Sequence, residues 1–202
     1  MLRIGIYGGS FSPIHNGHIK AVKAFLEQMQ LDFCYVIPTF IPPHKATSGI
    51  IAPEHRIRMC ELSFKDTEGI VVSDIEIKRG GTSYTVDTLR ELSGEDRRLF
   101  FLMGTDMLMT LDKWREPDEI FRLCYPVYVR RETDGELDAP IVEKIKSYQE
   151  KYGKVVRRIV TPAIELSSTD VRAAVAEGFP IEGAVPPAVA DYIHTHGLYR
   201  NA

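Results

Sequence analysis

Continuous apolar runs alternate with helix-period segments along the whole chain, and this alternation constrains the fold more than any other feature. LRIGIY (2–7), FCYVIP (33–38), LFFLMG (99–104), PVYVR (126–130) and VVRRIV (155–160) read as strands. Several are apolar throughout rather than at every second residue, the pattern of strands covered on both faces. Between the first two, Ile19, Val22, Phe25, Leu26 and Met29 share one face of HIKAVKAFLEQM (18–29). That spacing predicts a helix. Further helices are predicted over 54–64, from Thr85 to Leu92, from Ile141 to Tyr152, after Ser168 and over 186–196, while GIVVSDIEI (69–77) reads as extended. Strand and helix in strict turn define an α/β chain with a doubly wound, mostly parallel sheet. No repeat, low-complexity tract or linker divides it, so residues 1–202 read as one domain with a C-terminal helical part at about 164–202.

A chain of 202 residues can bury a core without disulfides or metal staples. Cys34, Cys60 and Cys124 form no CxxC pair and read as small buried hydrophobes in a reducing compartment. A net charge of −3 argues against a nucleic acid as partner, and no apolar run reaches membrane-spanning length. The first residues carry no long apolar segment of the secretory kind, and a cytoplasmic protein is expected. The doublets Arg56/Arg58, Arg130/Arg131 and Arg157/Arg158 read as solvated faces. A homo-oligomer is compatible with this composition.

The chemistry concentrates in IYGGSFSPIHNGHIK (6–20), the turn from the first strand into the first helix. In sheets of this kind, ligands sit at the carboxyl ends of the strands. Gly8 and Gly9 are expected to adopt conformations closed to other residues and to let a ligand approach the main chain. A helix beginning near Gly17 and His18 offers unpaired N–H groups and the positive end of its dipole, a phosphate site in outline. Neither GxGxxG nor GxxxxGK[ST] is present, so the dehydrogenase-type and P-loop readings both fail. His15 and His18 stand where a P-loop has its lysine. Two histidines without a third ligand nearby argue against a metal site. A second loop, 38–53, is rich in proline and carries His44 and Lys45, and loops of that length in compact domains tend to be functional.

GGSFSPIHNGH resembles the signature of the HxGH-type nucleotidyltransferases, GG-[ST]-F-[DN]-P-x-H-x-GH, with Ser12 at the position usually held by Asp or Asn. PPHK (42–45), SYTVDTL (83–89), GTD (104–106), Trp114 and SSTDVR (167–172) follow in an order and spacing similar to the nicotinate mononucleotide adenylyltransferases. The resemblance implies a Rossmann-like nucleotidyltransferase fold and transfer of an adenylyl group from ATP to nicotinate mononucleotide, with Mg²⁺ held mainly by ATP phosphates and no protein metal site. It implies that Gly8, Gly9, Ser10, Phe11, His15, His18, Gly104, Asp106, Ser168, Thr169 and Arg172 bind ATP. His18, His15 and Arg172 act on the reacting phosphates, with His18 foremost. Lys45, Tyr84, Thr85 and Trp114 bind the mononucleotide, Trp114 by stacking on its pyridine ring and Tyr84 and Thr85 by reading its carboxylate.

The same residues have plainer uses. Ser167, Ser168 or Thr169 is expected to cap the helix that follows, and Thr82 or Ser83 the one after it in SYTVDT. Thr105 or Asp106 can cap the helix after the strand at 99–104. Arg172 is expected in the first helical turn, where a cation gains nothing from the dipole unless an anion is bound. Two rival functions remain: adenylyl transfer to another phosphate such as phosphopantetheine, which leaves SYTVDT and Trp114 without a role, and a non-catalytic nucleotide-binding regulatory module.

Overall fold

A computed structural model describes residues 1–43, 49–130, 136–162 and 166–200. Six strands among these residues form a sheet in the order β3-β2-β1-β4-β5-β6, parallel throughout. The strands are β1 (Leu2–Gly9), β2 (Phe33–Pro38), β3 (Ile70–Val72), β4 (Arg97–Gly104), β5 (Cys124–Val129) and β6 (Arg157–Ile159). The order reverses at β1, as in doubly wound sheets, and the connections are the helices that parallel strands require. The expected fold class is therefore the observed one.

Contacts divide the chain into two compact units, each made of separate stretches. One comprises Met1–Tyr7, Ala21–Cys34 and Tyr84–Ile164; the other comprises Gly8–Lys20, Tyr35–Ser83 and Glu165–Ala202. In the first, β1 pairs with β4 from Leu2↔Arg97 to Ile6↔Phe101, β4 with β5, and β5 with β6. Helices α4 (Thr85–Leu92), α5 (Thr105–Leu108), α6 (Pro117–Leu123) and α7 (Asp138–Tyr152) belong to it, with most of α1 (Asn16–Gln28). Residues 99–104 are buried without interruption, which accounts for their unbroken apolar run. Phe121 stacks on Tyr152, and the Tyr148 hydroxyl donates to the Leu108 carbonyl at 2.7 Å.

Gly5 sits where β1 meets this core. A Cβ there would lie 2.7 Å from Leu31 Cδ1 and 2.8 Å from both Cys34 Sγ and Phe25 Cε1. Gly5→Ala is expected to destabilise the protein by about 1–3 kcal/mol through overpacking, read as a lower midpoint in urea unfolding.

The second unit holds α2 (Pro53–Phe64), α3 (Ile75–Arg79), α8 (Ser168–Ala176) and α9 (Pro187–Thr195). His55 on α2 meets the Tyr192 hydroxyl of α9 at 2.9 Å. Segment 69–77, read as extended, is strand only at Ile70–Val72 and turns helical at Ile75. Its apolar alternation covers too few residues to hold a strand. Asp74–Lys78 and Glu76–Arg79 pair instead at the i,i+4 and i,i+3 spacings of a helix.

Candidate active site

The loop leaving β1 is anchored by its carbonyls. Those of Gly9, Ser10, Ser12 and Pro13 accept in turn from Thr39 N–H at 2.9 Å, an Arg56 guanidinium nitrogen at 2.8 Å, an Arg172 guanidinium nitrogen at 2.8 Å and the Ser168 hydroxyl at 2.9 Å. The left-handed residue is not one of the glycines, as expected, but Phe11, at φ 45°. A non-glycine residue held there costs on the order of 1–3 kcal/mol. Gly9 is needed for space: a Cβ on it would lie 2.9 Å from the Phe11 ring. That ring is buried, so Phe11 can offer a ligand only its main chain. The Ser12–Pro13 peptide is cis.

The two histidines are fixed by main-chain donors. Gly17 N–H donates to His15 Nδ1 at 3.1 Å, and His15 N–H donates to His18 Nδ1 at 3.2 Å. A backbone N–H can only donate, so both Nδ1 atoms accept and each ring carries its proton on Nε2. The rings stack at 3.6 Å, and Phe11 meets His18 edge-on at 5.1 Å. His15 is 2% exposed and His18 9%. Both rings therefore have Nε2 as their donor nitrogen, within the turn that opens α1.

Across the same unit, Ser167 caps α8 in a capping box with Asp170. Hydrogen bonds from Ser167 hold the Asp170 carboxyl below its ordinary range. Ser168 and Thr169 open the helix. Arg172 lies in its second turn rather than the first, because the helix begins at Ser168. Its side chain runs back toward the N-terminus, as helical side chains do, and a second guanidinium nitrogen meets Thr169 Oγ1 at 3.1 Å.

Ser12, the departure from the usual carboxylate or amide, is a hub. Its hydroxyl donates to the Gly49 carbonyl at 3.0 Å and accepts from Ile51 N–H at 3.3 Å. Its one proton is then committed, so the Tyr199 hydroxyl, 3.1 Å away, is the donor to Ser12. Burial pushes the Tyr199 pKa up and keeps it neutral. An aspartate could not donate to Gly49. Ser12→Ala is expected to cost about 1–3 kcal/mol by stranding these partners, measured by urea denaturation.

The other unit carries Tyr84, Thr85, Gly104, Asp106 and Trp114. Gly104 is the N-cap of α5, without a side-chain cap, so neither Thr105 nor Asp106 caps; Asp106 is exposed. Trp114 ends a 3₁₀ turn at Leu111–Lys113, half-buried, edge-on to Phe101 at 6.1 Å, with Nε1 donating to Thr110 Oγ1 at 3.4 Å. Tyr84 is the N-cap of α4 and no side chain caps that end. Ser83, expected as a cap, is instead drawn away to accept Phe40 N–H at 2.8 Å, and Thr82 bridges to Ile41. The Arg115 guanidinium covers the Tyr84 ring at 4.6 Å. Lys45 lies outside the described residues, as does His44.

Arg56 is the residue the sequence reading missed. Expected on a solvated face, it is 1% exposed, while Arg58 is exposed. Its place on α2 explains this, for Arg56, Met59, Cys60 and Phe64 form one buried stripe. Extending the stripe back one turn from Met59 and Cys60 would have found it.

The three cysteines are not poised as nucleophiles. Cys34, Cys60 and Cys124 are fully buried, and burial pushes their thiols up, that of Cys124 to about 12. Hydrogen-bond donors gathered at the first strand-to-helix turn suit a nucleotidyltransferase that steadies phosphates while two substrates react. The chain belongs to the cytidylyltransferase-like family, whose model matches residues 6–174. It is 35% identical over 202 residues to the probable nicotinate-nucleotide adenylyltransferase of Thermoanaerobacter sp. (strain X514), covering 98% of this chain and 95% of that one. To the probable nicotinate-nucleotide adenylyltransferase of Lachnoclostridium phytofermentans it is 37% identical over 201 residues, covering 98% and 100%. Among solved structures, the Plasmodium falciparum nicotinic acid mononucleotide adenylyltransferase complexed with NaAD shares the fold. Its TM-score is 0.79 at 20% identity, over 100% of this chain and 99% of that one.

Proposed function

We propose that the protein transfers the adenylyl group of ATP to nicotinate mononucleotide, giving nicotinate adenine dinucleotide and pyrophosphate. The observation that carries this reading is likeness along the full chain to relatives named for that activity. A phosphate oxygen of the mononucleotide attacks the α-phosphorus of ATP. The bond from that phosphorus to the oxygen bridging the β-phosphate breaks, and pyrophosphate leaves with the electron pair. The attacking phosphate is already ionised at neutral pH, so no general base is required.

Catalysis then rests on placing the reactants and meeting the charge that gathers on the leaving group. His18 and His15 supply Nε2–H donors, Arg172 a guanidinium, and Ser168 and Thr169 the opening of α8. Gly8, Gly9, Ser10 and Phe11 present main chain to the triphosphate. Gly104 and Asp106 meet the adenosine. Trp114 stacks on the pyridine ring, and Tyr84 and Thr85, at the uncapped end of α4, receive the nicotinate carboxylate. Mg²⁺, held by oxygens of ATP rather than by side chains of the protein, would offset the charge of the triphosphate. Among the described residues, no group of three or more His, Cys, Asp or Glu is placed to hold a metal ion of its own. No helix among them is long and apolar enough to cross a membrane.

Pyrophosphate release from ATP, measured with nicotinate mononucleotide, nicotinamide mononucleotide and phosphopantetheine as acceptors, tests the reading. Turnover is expected with the first. Equal turnover of the amide would remove the carboxylate role of Tyr84 and Thr85, turnover of phosphopantetheine alone would reassign the acceptor, and none with any would leave a nucleotide-binding module.

A further inference from the structure

The Arg56 guanidinium is buried, and among the described residues it makes no ion pair. Taking such a charge out of water is costly unless something compensates it. Here the compensation is two main-chain carbonyls: Nε donates to Ile51 at 3.0 Å, and a terminal nitrogen donates to Ser10 at 2.8 Å. Burial lowers its pKa from the ordinary arginine value. A leucine or methionine would fill the same stripe of α2 without that cost, so the stripe alone does not account for an arginine.

What the arginine does is set by the peptide it holds. The Ser10–Phe11 peptide is planar and trans, so gripping the Ser10 carbonyl aims the Phe11 N–H the opposite way. It also fixes one side of Phe11, the residue at φ 45°. The Phe11 ring lies against Gly9 and edge-on to His18. One line of contact therefore runs from Arg56 through the Ser10 carbonyl and the strained Phe11 to the imidazole of His18. Ile51, the second carbonyl it holds, donates its own N–H to Ser12, so the same guanidinium braces the far side of the loop.

We propose that Arg56 is a positioning residue for adenylyl transfer, clamping the Ser10–Phe11 peptide so that His18 is held in its donor orientation. This rests on the function proposed above. It concerns placement and not substrate contact, so its signature is a fall in kcat with little change in KM for the mononucleotide.

The test uses the full chain with Arg56→Met, which fills the stripe without donors, and Arg56→Lys, which keeps the charge but not the two-carbonyl fork. Cys60→Ala, one turn along the same stripe, serves as a control for plain loss of stability. Turnover, thermal midpoint and the ¹⁵N resonances of the His18 imidazole are measured for each. Arg56→Met is expected to lose on the order of 10- to 100-fold in kcat, to keep the mononucleotide KM within about twofold, and to lose the single Nε2–H signature of His18. Arg56→Lys should recover part of both. Parent-like kcat and His18 resonances in Arg56→Met would overturn the proposal, as would equal losses in Cys60→Ala. If the unaltered protein turned over none of the acceptors, the adenylyltransferase reading would fail, while the His18 resonances would still decide the clamp. Should Arg56→Met not fold, Arg56→Lys decides alone: an unchanged His18 signature and kcat would overturn it.

Discussion

His18→Ala is expected to lower kcat by about 10²-fold or more, with the KM for nicotinate mononucleotide held within about twofold. The expectation comes from how the ring is held. His15 N–H occupies Nδ1, the His15 ring covers one face at 3.6 Å, and Phe11 meets the ring edge-on. A donor already oriented before substrate arrives needs no reorganisation as charge moves to the leaving pyrophosphate, and that is where such groups have their largest effect. His15→Ala should fall in the same direction, since it removes the face against which His18 stacks. The double variant should be little worse than either alone, because groups that act as a unit are not additive. Rapid-quench single turnover separates chemistry from product release. A His18→Ala rate within about threefold of the parent would remove His18 from the transition state.

The strands were legible in the sequence because burial on both faces leaves a continuous apolar run, as at residues 99–104, which are buried without a break. The loop stood out by residue type, since histidines and glycines crowd a first strand-to-helix turn, but the carbonyl anchors that shape it did not. What sequence could not convey depends on partners far along the chain. Ser12 meets Tyr199 187 residues away, and Arg172 meets the Ser12 carbonyl 160 residues back. The tautomers of His15 and His18 follow from two main-chain N–H vectors, and the left-handed turn at Phe11 from the four anchored carbonyls around it; no side-chain pattern encodes either. Arg56 misleads for another reason. Charge ordinarily marks the surface, and here a core position on α2 is occupied by a cation whose partners are backbone oxygens. Residues 75–79 show the limit of periodicity itself, since Ile75 and Ile77 alternate over a stretch too short to separate the two periods.

Arg172→Ala is expected to raise the KM for ATP on the order of 10- to 100-fold, the span of a charged group's hydrogen bonds. Its guanidinium spends one nitrogen on the Ser12 carbonyl and another on Thr169 Oγ1, and a guanidinium has five N–H donors, so donors remain for an anion. It is also held close against Gly49, where an added Cβ would stand 2.9 Å from its Nε, and a cation so confined has little entropy left to lose on binding. Ser12 bears no charge, so no carboxylate at that position competes with the triphosphate for Arg172. Arg172→Lys should recover only part of the affinity, because an ammonium cannot reach the Ser12 carbonyl and a phosphate oxygen with one planar fork. The charge has its own readout: the parent's KM for ATP should rise with added salt, and that slope should flatten in Arg172→Ala. A variant that lost thermal stability but kept both the ATP KM and its salt dependence would show that Arg172 only ties the loop to α8, and the phosphate role would pass to the histidines alone.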